Sequence, residues 1–450
     1  MNRVLLKIIF LFTFLSFHSL QATVLSSQQL RSGLSKNDFT TTLSYLSTHK
    51  SDKDQLWYWL DLARLQQANG EFRASILSFE KAYAILDDFE NRATISIRNV
   101  GSFLGSSFLS KGSQTYFGKG YERTLMHTLN ALNYAMLGDL EGSAVELRRM
   151  ELRQEFWLRE SEEKIKDASD EKIKAREQGS DISSIPSGYS MGVLLEDADV
   201  RAMANNYQDP FSYTLSSIIH DISGLSPLLG NSSEISLKRS IALNPESEKV
   251  FEKLPYSLPS KEKMKITVIV LSGLAPSLKV EKIRFPIFQG ASYTSIDLPS
   301  YSIPVNDIYP PSISTSQLSI QPPRLLKSDL MAYKTLKDEL PAELAKSIVR
   351  ATTKGVVAKQ ANDHFGDMGG LIASLLMDIG SSYSNSGFRN WEMLPNSGYL
   401  AQLEAKKGET VTITLNNHQE SIMLPTNKKG VIILVSYLTQ NNIRIDHVSY

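Results

Sequence analysis

The sequence predicts an α+β protein: an N-terminal superhelix of helical hairpins, then a β-sandwich-like domain with a helical pair inserted into it. Three observations predict it. Apolar residues recur at helical spacing on both sides of Gly138-Asp139, with Leu125, Leu129, Leu132 and Met136 before the turn and Leu140, Ala144 and Leu147 after it. β-Branched runs punctuated by glycine and proline begin near Pro255 and return after Thr410. Between them, from Asp329, the helical period comes back.

Taken in order, residues 1–22 read as a secretory signal peptide. Arg3 and Lys7 precede an apolar run over 8–15, and Ala22 supplies a small residue at the cleavage position. That run is shorter than a bilayer span, and no later segment reaches spanning length.

Residues 23–254 read as the helical domain. Trp57, Trp59, Leu60, Leu62 and Ala63 precede Gly70, and Ile76, Phe79, Ala82 and Tyr83 follow it. Trp59, Leu62, Gly70, Phe72, Phe79 and Ala82 fall at the aromatic, small and apolar positions of a tetratricopeptide repeat. The second hairpin repeats this chemistry with Tyr134 and Gly138, although His127 stands in place of the tryptophan and Met150 in place of the late alanine. A third, weaker copy runs from Phe211 to Pro245 with its glycine displaced to Gly230. The irregular spacing indicates a degenerate superhelix rather than a regular array. After the second copy, acidic and basic residues alternate from Glu151 through Arg176, as on a solvated helix.

Residues 255–327 read as a first β block and a proline-rich linker, with Pro304, Pro310, Pro311, Pro322 and Pro323 unsuited to a central strand. Residues 328–386 form the helical insertion, where Pro341 suits the first turn of one helix and Met368, Leu371, Ile372, Leu375, Leu376, Ile379 and Tyr383 stripe another. Residues 387–450 form the C-terminal β block. Neither β block has strands enough to stand alone, so the two are expected to pair.

Composition narrows the function. Lys+Arg and Asp+Glu number 48 each, so no global field draws the chain to nucleic acid. The absence of cysteine removes thiol catalysis, thiolate metal sites and lipid attachment at an N-terminal cysteine. An exported chain without disulfides suits a bacterial periplasm.

Enzyme motifs are scarce. There is no His-Glu-x-x-His, and the seven histidines are scattered. Gly112 with Gly118-Lys119 misses the spacing and the hydroxyl of a phosphate loop, and the Ser78-x-x-Lys81 and Ser260-x-x-Lys263 patterns lack their partner Lys-Thr-Gly. No catalytic residue, cofactor or metal site is expected. Glu122, Arg123, Glu146, Arg148, Arg149, Glu151 and Arg153 form the densest charged set, read first as a partly buried ion-pair network that fixes how hairpins stack and second as a recognition surface for acidic or basic peptide groups.

The chain resembles a family of largely uncharacterised bacterial envelope proteins with tetratricopeptide-like N-terminal halves. The residues that carry the resemblance are Asn99-Val-Gly-Ser-Phe103, Tyr121-Glu-Arg123, His127-Thr128, Ala131-Leu-Asn-Tyr134, Leu137-Gly138-Asp139-Leu-Glu-Gly142 and Val145-Glu146-Leu-Arg148-Arg149. Farther on, Gly273-Leu-Ala-Pro276 and Arg389-x-Trp391-x-x-Leu394-Pro395 fit the two C-terminal signatures of that family. The resemblance implies a periplasmic or outer-membrane-associated protein with no assigned activity. Relatives are often lipidated, and the lipid-bearing cysteine is missing here.

The function expected is a non-catalytic interaction scaffold in the periplasm of a Gram-negative bacterium, either soluble or peripheral to the outer membrane, with other envelope proteins or peptides as partners. In tetratricopeptide repeats the first helix of each pair lines the concave groove, so Trp57, Arg64, Gln67 and Thr128 are the residues expected to face a ligand. Two alternatives stand beside it: a cell-wall enzyme with carboxylates converging in an interdomain cleft, and a structural component of an envelope machine.

Overall fold

The structure, a computed structural model, describes residues 30–34, 39–48, 55–99, 116–157, 188–229, 231–251, 261–287, 292–302, 310–341, 344 and 389–450. The signal segment, Gly230, the 368–383 stripe and the charged run beyond residue 157 lie outside them. The protein is α+β, with helices N-terminal and sheets C-terminal.

Six helices form three hairpins. α1 (Gln55–Ala68) pairs with α2 (Phe72–Asn99), α3 (Gly120–Met136) with α4 (140–157), and α5 (Pro210–Ile222) with α6 (Ser232–Leu243). The first two turns need glycine, because Gly70 and Gly138 take φ of 76° and 80°. Asp139 then accepts a 2.8 Å hydrogen bond from the Gly142 amide and caps α4. The third turn sits at Gly224 and Asn231, which take φ of 72° and 61°. α5 starts where Asp209 accepts from the Ser212 amide at 2.7 Å and Pro210 occupies the first turn.

The hairpins stack in chain order. Between the first and second, Gln67 donates to the Leu129 carbonyl at 2.6 Å, and Asn133 donates to Ser75 at 2.8 Å. Tyr83 donates to Glu146 at 2.9 Å, and Arg153 pairs with Glu90 at 2.7 Å. Both of these pairs are separated by 63 residues, so α2 and α4 run parallel. Between the second and third hairpins, Thr128 meets Ser212 at 2.6 Å, Ser216 and Ser236 donate to Glu151, and Arg239 reaches Glu155 at 2.9 Å. The charged set around the second hairpin therefore ties it to both neighbours.

Eleven strands follow among the described residues: β1 (Lys263–Leu274), β2 (Leu278–Ile287), β3 (Ser292–Tyr301), β4 (Ser312–Ser314), β5 (Ser319–Ile320), β6 (Arg324–Lys327), β7 (Pro395–Lys406), β8 (Thr410–Leu415), β9 (His418–Met423), β10 (Gly430–Thr439) and β11 (Asn442–Ser449). They make a five-stranded sheet of order β11-β10-β1-β7-β6, a four-stranded sheet β5-β4-β8-β9 and the hairpin β2-β3. β1 runs parallel to β10 and antiparallel to β7, so strands of both β blocks share the larger sheet.

Alternation sorts the larger sheet into two faces. Ile266, Val268 and Val270 of β1, Tyr399, Ala401 and Leu403 of β7, and Val431, Ile433 and Val435 of β10 pack with Val411, Ile413 and Ile422 of the smaller sheet in one core. Ile269, Leu271, Leu400, Ile432 and Leu434 point the other way and join the core of the helical hairpins. Both faces are covered, which explains the near-continuous apolar runs of β1 and β10. The order is helices, large sheet, small sheet.

Two expectations change. The proline-rich stretch is more than a linker, since it supplies β4, β5 and β6; β5 and β6 lie at sheet edges, where proline is tolerated nearby. Pro341 lies within a helix, α7 (328–341), that has already begun at Ser328, rather than in the first turn of one.

Helix α5 approaches the sheet closely at Gly398, where an added Cβ would stand 2.7 Å from Leu326 Cβ and 2.9 Å from the Phe211 ring. Gly398→Ala is expected to lower the unfolding free energy by about 1–3 kcal/mol through overpacking, read by chemical denaturation of the full chain.

Candidate functional site

The four side chains expected to line a groove are buried inside the protein: Trp57 is 6% exposed, Arg64 0%, Gln67 1% and Thr128 0%. Trp57 belongs to the main apolar core. Gln67 bonds to Leu129 and Asn133, and Thr128 to Ser212. The inner helices that carry these residues lie against the five-stranded sheet: α1 touches β10, α3 touches β10 and β11, and α5 touches β6 and β7. The correction has a simple cause: the apolar period of a helix shows that one face will be covered, but not by what.

The second hairpin's marked residues divide between interior and surface. Tyr121, Glu122, Arg123, His127 and Glu146 are buried, while Tyr134 is half-buried beside Gly142. Gly138 and Asp139 form the exposed turn, and the side chains of Arg148 and Arg149 are 56% and 55% exposed. His127 stacks on Tyr83 with centroids 4.6 Å apart, and its Nδ1 lies 2.8 Å from Glu146. Burial lowers the His127 pKa, against the opposing pull of the Glu146 carboxylate. Burial pushes Glu146 up, but the bonds from His127 and Tyr83 and the Arg149 charge outweigh it and hold the carboxylate low. The other ring nitrogen of His127 has no hydrogen-bond partner among the described residues.

The most concentrated buried chemistry joins helix to sheet. Glu122, 0% exposed, accepts from the Trp391 amide at 2.8 Å with one oxygen. Its other oxygen accepts from the Lys119 amide at 2.6 Å and from the Tyr116 hydroxyl at 2.7 Å. One side chain therefore caps α3 and pins the loop before β7. Asp61, also 0% exposed, accepts from the Met393 amide at 2.8 Å. Glu392, between those two amides, takes Arg31 at 2.9 Å and Ser277 at 2.7 Å.

The same loop binds the end of β1. Ala275 donates to the Leu394 carbonyl at 2.8 Å, and Asn390 donates to the Pro276 carbonyl while accepting from the Leu278 amide. The segments 273–276 and 389–395 are thus one clasp, with Trp391 at 0% exposure edge-on to Phe79 and Pro395 opposite Leu274. Arg389, half-buried at its start, has its pKa lowered by burial.

Sequence reasoning missed Asp61, Glu392, Asn390 and Arg31. A signal existed in Asp61, Arg64 and Gln67, three polar residues at three-residue spacing on one helix face.

Burial dominates the electrostatics of this seam. Burial raises the Asp61 pKa well above the usual carboxylate range, reinforced by Glu392 and opposed by the Met393 amide and Arg31; one Asp61 oxygen has no partner. Glu122 is also raised by burial, against the three donors it holds. Arg64 is lowered to about 9 by burial alone, and two of its nitrogens lack partners. None of these groups reaches solvent, so the arrangement serves as internal attachment. Among the described residues no group of three or more His, Asp or Glu is placed to hold a metal ion.

The chemistry open to a partner lies on the outer helices. Val145, Leu152 and Phe156 of α4 are 49%, 50% and 38% exposed, and their spacing of seven and four puts them on one face. Arg148 and Arg149 stand among them, and Leu77 is 62% exposed on the parallel helix α2.

Compared with protein-family models, curated proteins and solved structures, the chain matches none.

Because the folded state raises the Asp61 pKa, it binds the proton more tightly than the unfolded chain, and stability falls as pH rises from the unfolded value towards the folded one. Asp61→Asn is expected to remove that fall and raise the denaturation midpoint at neutral pH, measured by denaturation from pH 4 to pH 8. Glu122→Ala, which strands three donors, is expected to cost about 3 kcal/mol or more.

Proposed function

We propose that the protein is a non-catalytic interaction scaffold of the bacterial cell envelope, exported to the periplasm, whose recognition surface is the outer face of its helical hairpins. On this reading the hairpins are a degenerate tetratricopeptide-like array in the family of envelope proteins the sequence resembles, and the two sheets form a sandwich whose outer face fills the concave side. The partner binds outside, as an amphipathic helix of another envelope protein laid along α4. Its apolar face meets Val145, Leu152 and Phe156, and its acidic residues meet Arg148 and Arg149.

The observation that carries the proposal is the aligned exposed stripe on α4. Single exposed apolar residues are ordinary, but three on one helix face are the footprint of helix-on-surface recognition. Fully burying such a side chain contributes roughly 1.5–3 kcal/mol, enough for three together to anchor a complex. No helix of the described residues is long and apolar enough to cross a membrane.

The enzyme reading needs paired carboxylates within reach of a glycan. Asp61 and Glu122 are the paired candidates, and both are fully buried.

Photo-crosslinking groups placed in cells at Leu152 and Phe156 are expected to give a discrete adduct that Val145→Asp abolishes. A group at the exposed Val193 should give none. Adducts absent at α4, or unchanged by Val145→Asp, would contradict the proposal.

A further inference from the structure

At one end of the large sheet an open cleft of about 400 Å³ is lined by Lys261, Lys263, Lys265, Lys407, Lys429, Tyr450, Ile222 and Asp221. The lysines come from three places. Lys261, Lys263 and Lys265 lead into and begin β1, Lys407 sits in the turn after β7, and Lys429 precedes β10. Sheet register brings them together: Lys263 is opposite Lys406, and Lys265 is opposite Gly430, the neighbour of Lys429.

Five ammoniums outnumber the acidic groups that line the cleft, the Asp221 side chain and the Tyr450 α-carboxylate, in a chain whose charges balance overall. Lys265 reaches Asp221 at 3.0 Å, and Lys263 reaches Glu404 at 3.9 Å. Lys261, Lys407 and Lys429 make no ion pair among the described residues. Tyr450 closes the wall by lying against Gly430, where a Cβ would overlap the phenol, and its hydroxyl is buried without a hydrogen-bond partner.

We propose that this cleft binds a multiply charged phosphate group, of the size of a diphosphate with its substituent. The volume lies within the range of small-ligand sites. Ammoniums recognise phosphate as point charges, without the planar geometry that carboxylates draw from arginine. Ile222 gives the substituent an apolar wall. The diphosphate belongs either to a free solute or to a lipid headgroup.

Calorimetric titration of the full chain with pyrophosphate, and co-sedimentation with vesicles carrying a lipid with a diphosphate headgroup, separate the two sources. Pyrophosphate binding that weakens at least tenfold in Lys407→Ala/Lys429→Ala, and weakens with salt, supports the site with a free ligand. Vesicle binding lost in the same variant, without pyrophosphate binding, supports it with a headgroup. Lys238→Ala, a change on the exposed surface of α6, should alter neither. Lys407 and Lys429 bond within the fold through their backbones, which alanine keeps, and their side chains make no ion pair among the described residues, so the double variant should keep its denaturation midpoint. Binding of neither probe, or binding the double variant retains, overturns the proposal.

Discussion

Two buried carboxylates reaching for backbone amides on one loop hold the helical and β halves of the molecule as a unit. Glu122 accepts from the Trp391 amide and Asp61 from the Met393 amide, and both carboxylates are 0% exposed. Three helical hairpins cannot cover their own inner faces, and an uncovered face of that size would be an aggregation surface. The chain answers with its own five-stranded sheet. Trp391 goes in as the apolar plug and the loop amides as its polar attachment.

That arrangement explains why the inner helices are so polar for a core. Asp61, Arg64, Gln67, Glu122, Thr128, Asn130 and Asn133 are all essentially buried. Most meet a partner on the next hairpin or on the clasp, so they fix register where apolar packing alone would tolerate sliding. Arg64 stands apart, with burial and no carboxylate to offset it, and nothing in the structure explains its retention.

The hairpins were legible in the sequence because their signals are local: a helical period, a glycine at each of the first two turns, and a small residue beside an aromatic one. β1 and β10 were legible as apolar runs for the same reason. What covers the inner helices was not legible, since β1 pairs with β10 in parallel across more than 150 positions of chain, and no short pattern encodes that register. Trp57, Arg64, Gln67 and Thr128 consequently looked like the floor of an open groove. The lysine cleft was hidden in the same way, with three of its residues visible as an alternating run and two arriving only through sheet pairing. The outer stripe of α4 was legible in principle, as Val145, Leu152 and Phe156 sit off the core period.

The question beneath all of this is whether the sheet is a permanent cover or a lid. Native-state hydrogen exchange at the Trp391 and Met393 amides answers it most directly, because both donate to carboxylates in the helices. With a permanent cover, both amides exchange only through global unfolding, with the same free energy and denaturant dependence as the Leu129 amide inside α3. Faster exchange at 391 and 393 with a shallow denaturant dependence, while Leu129 stays protected, would show the sheet lifting from intact helices and would return the inner face to a partner.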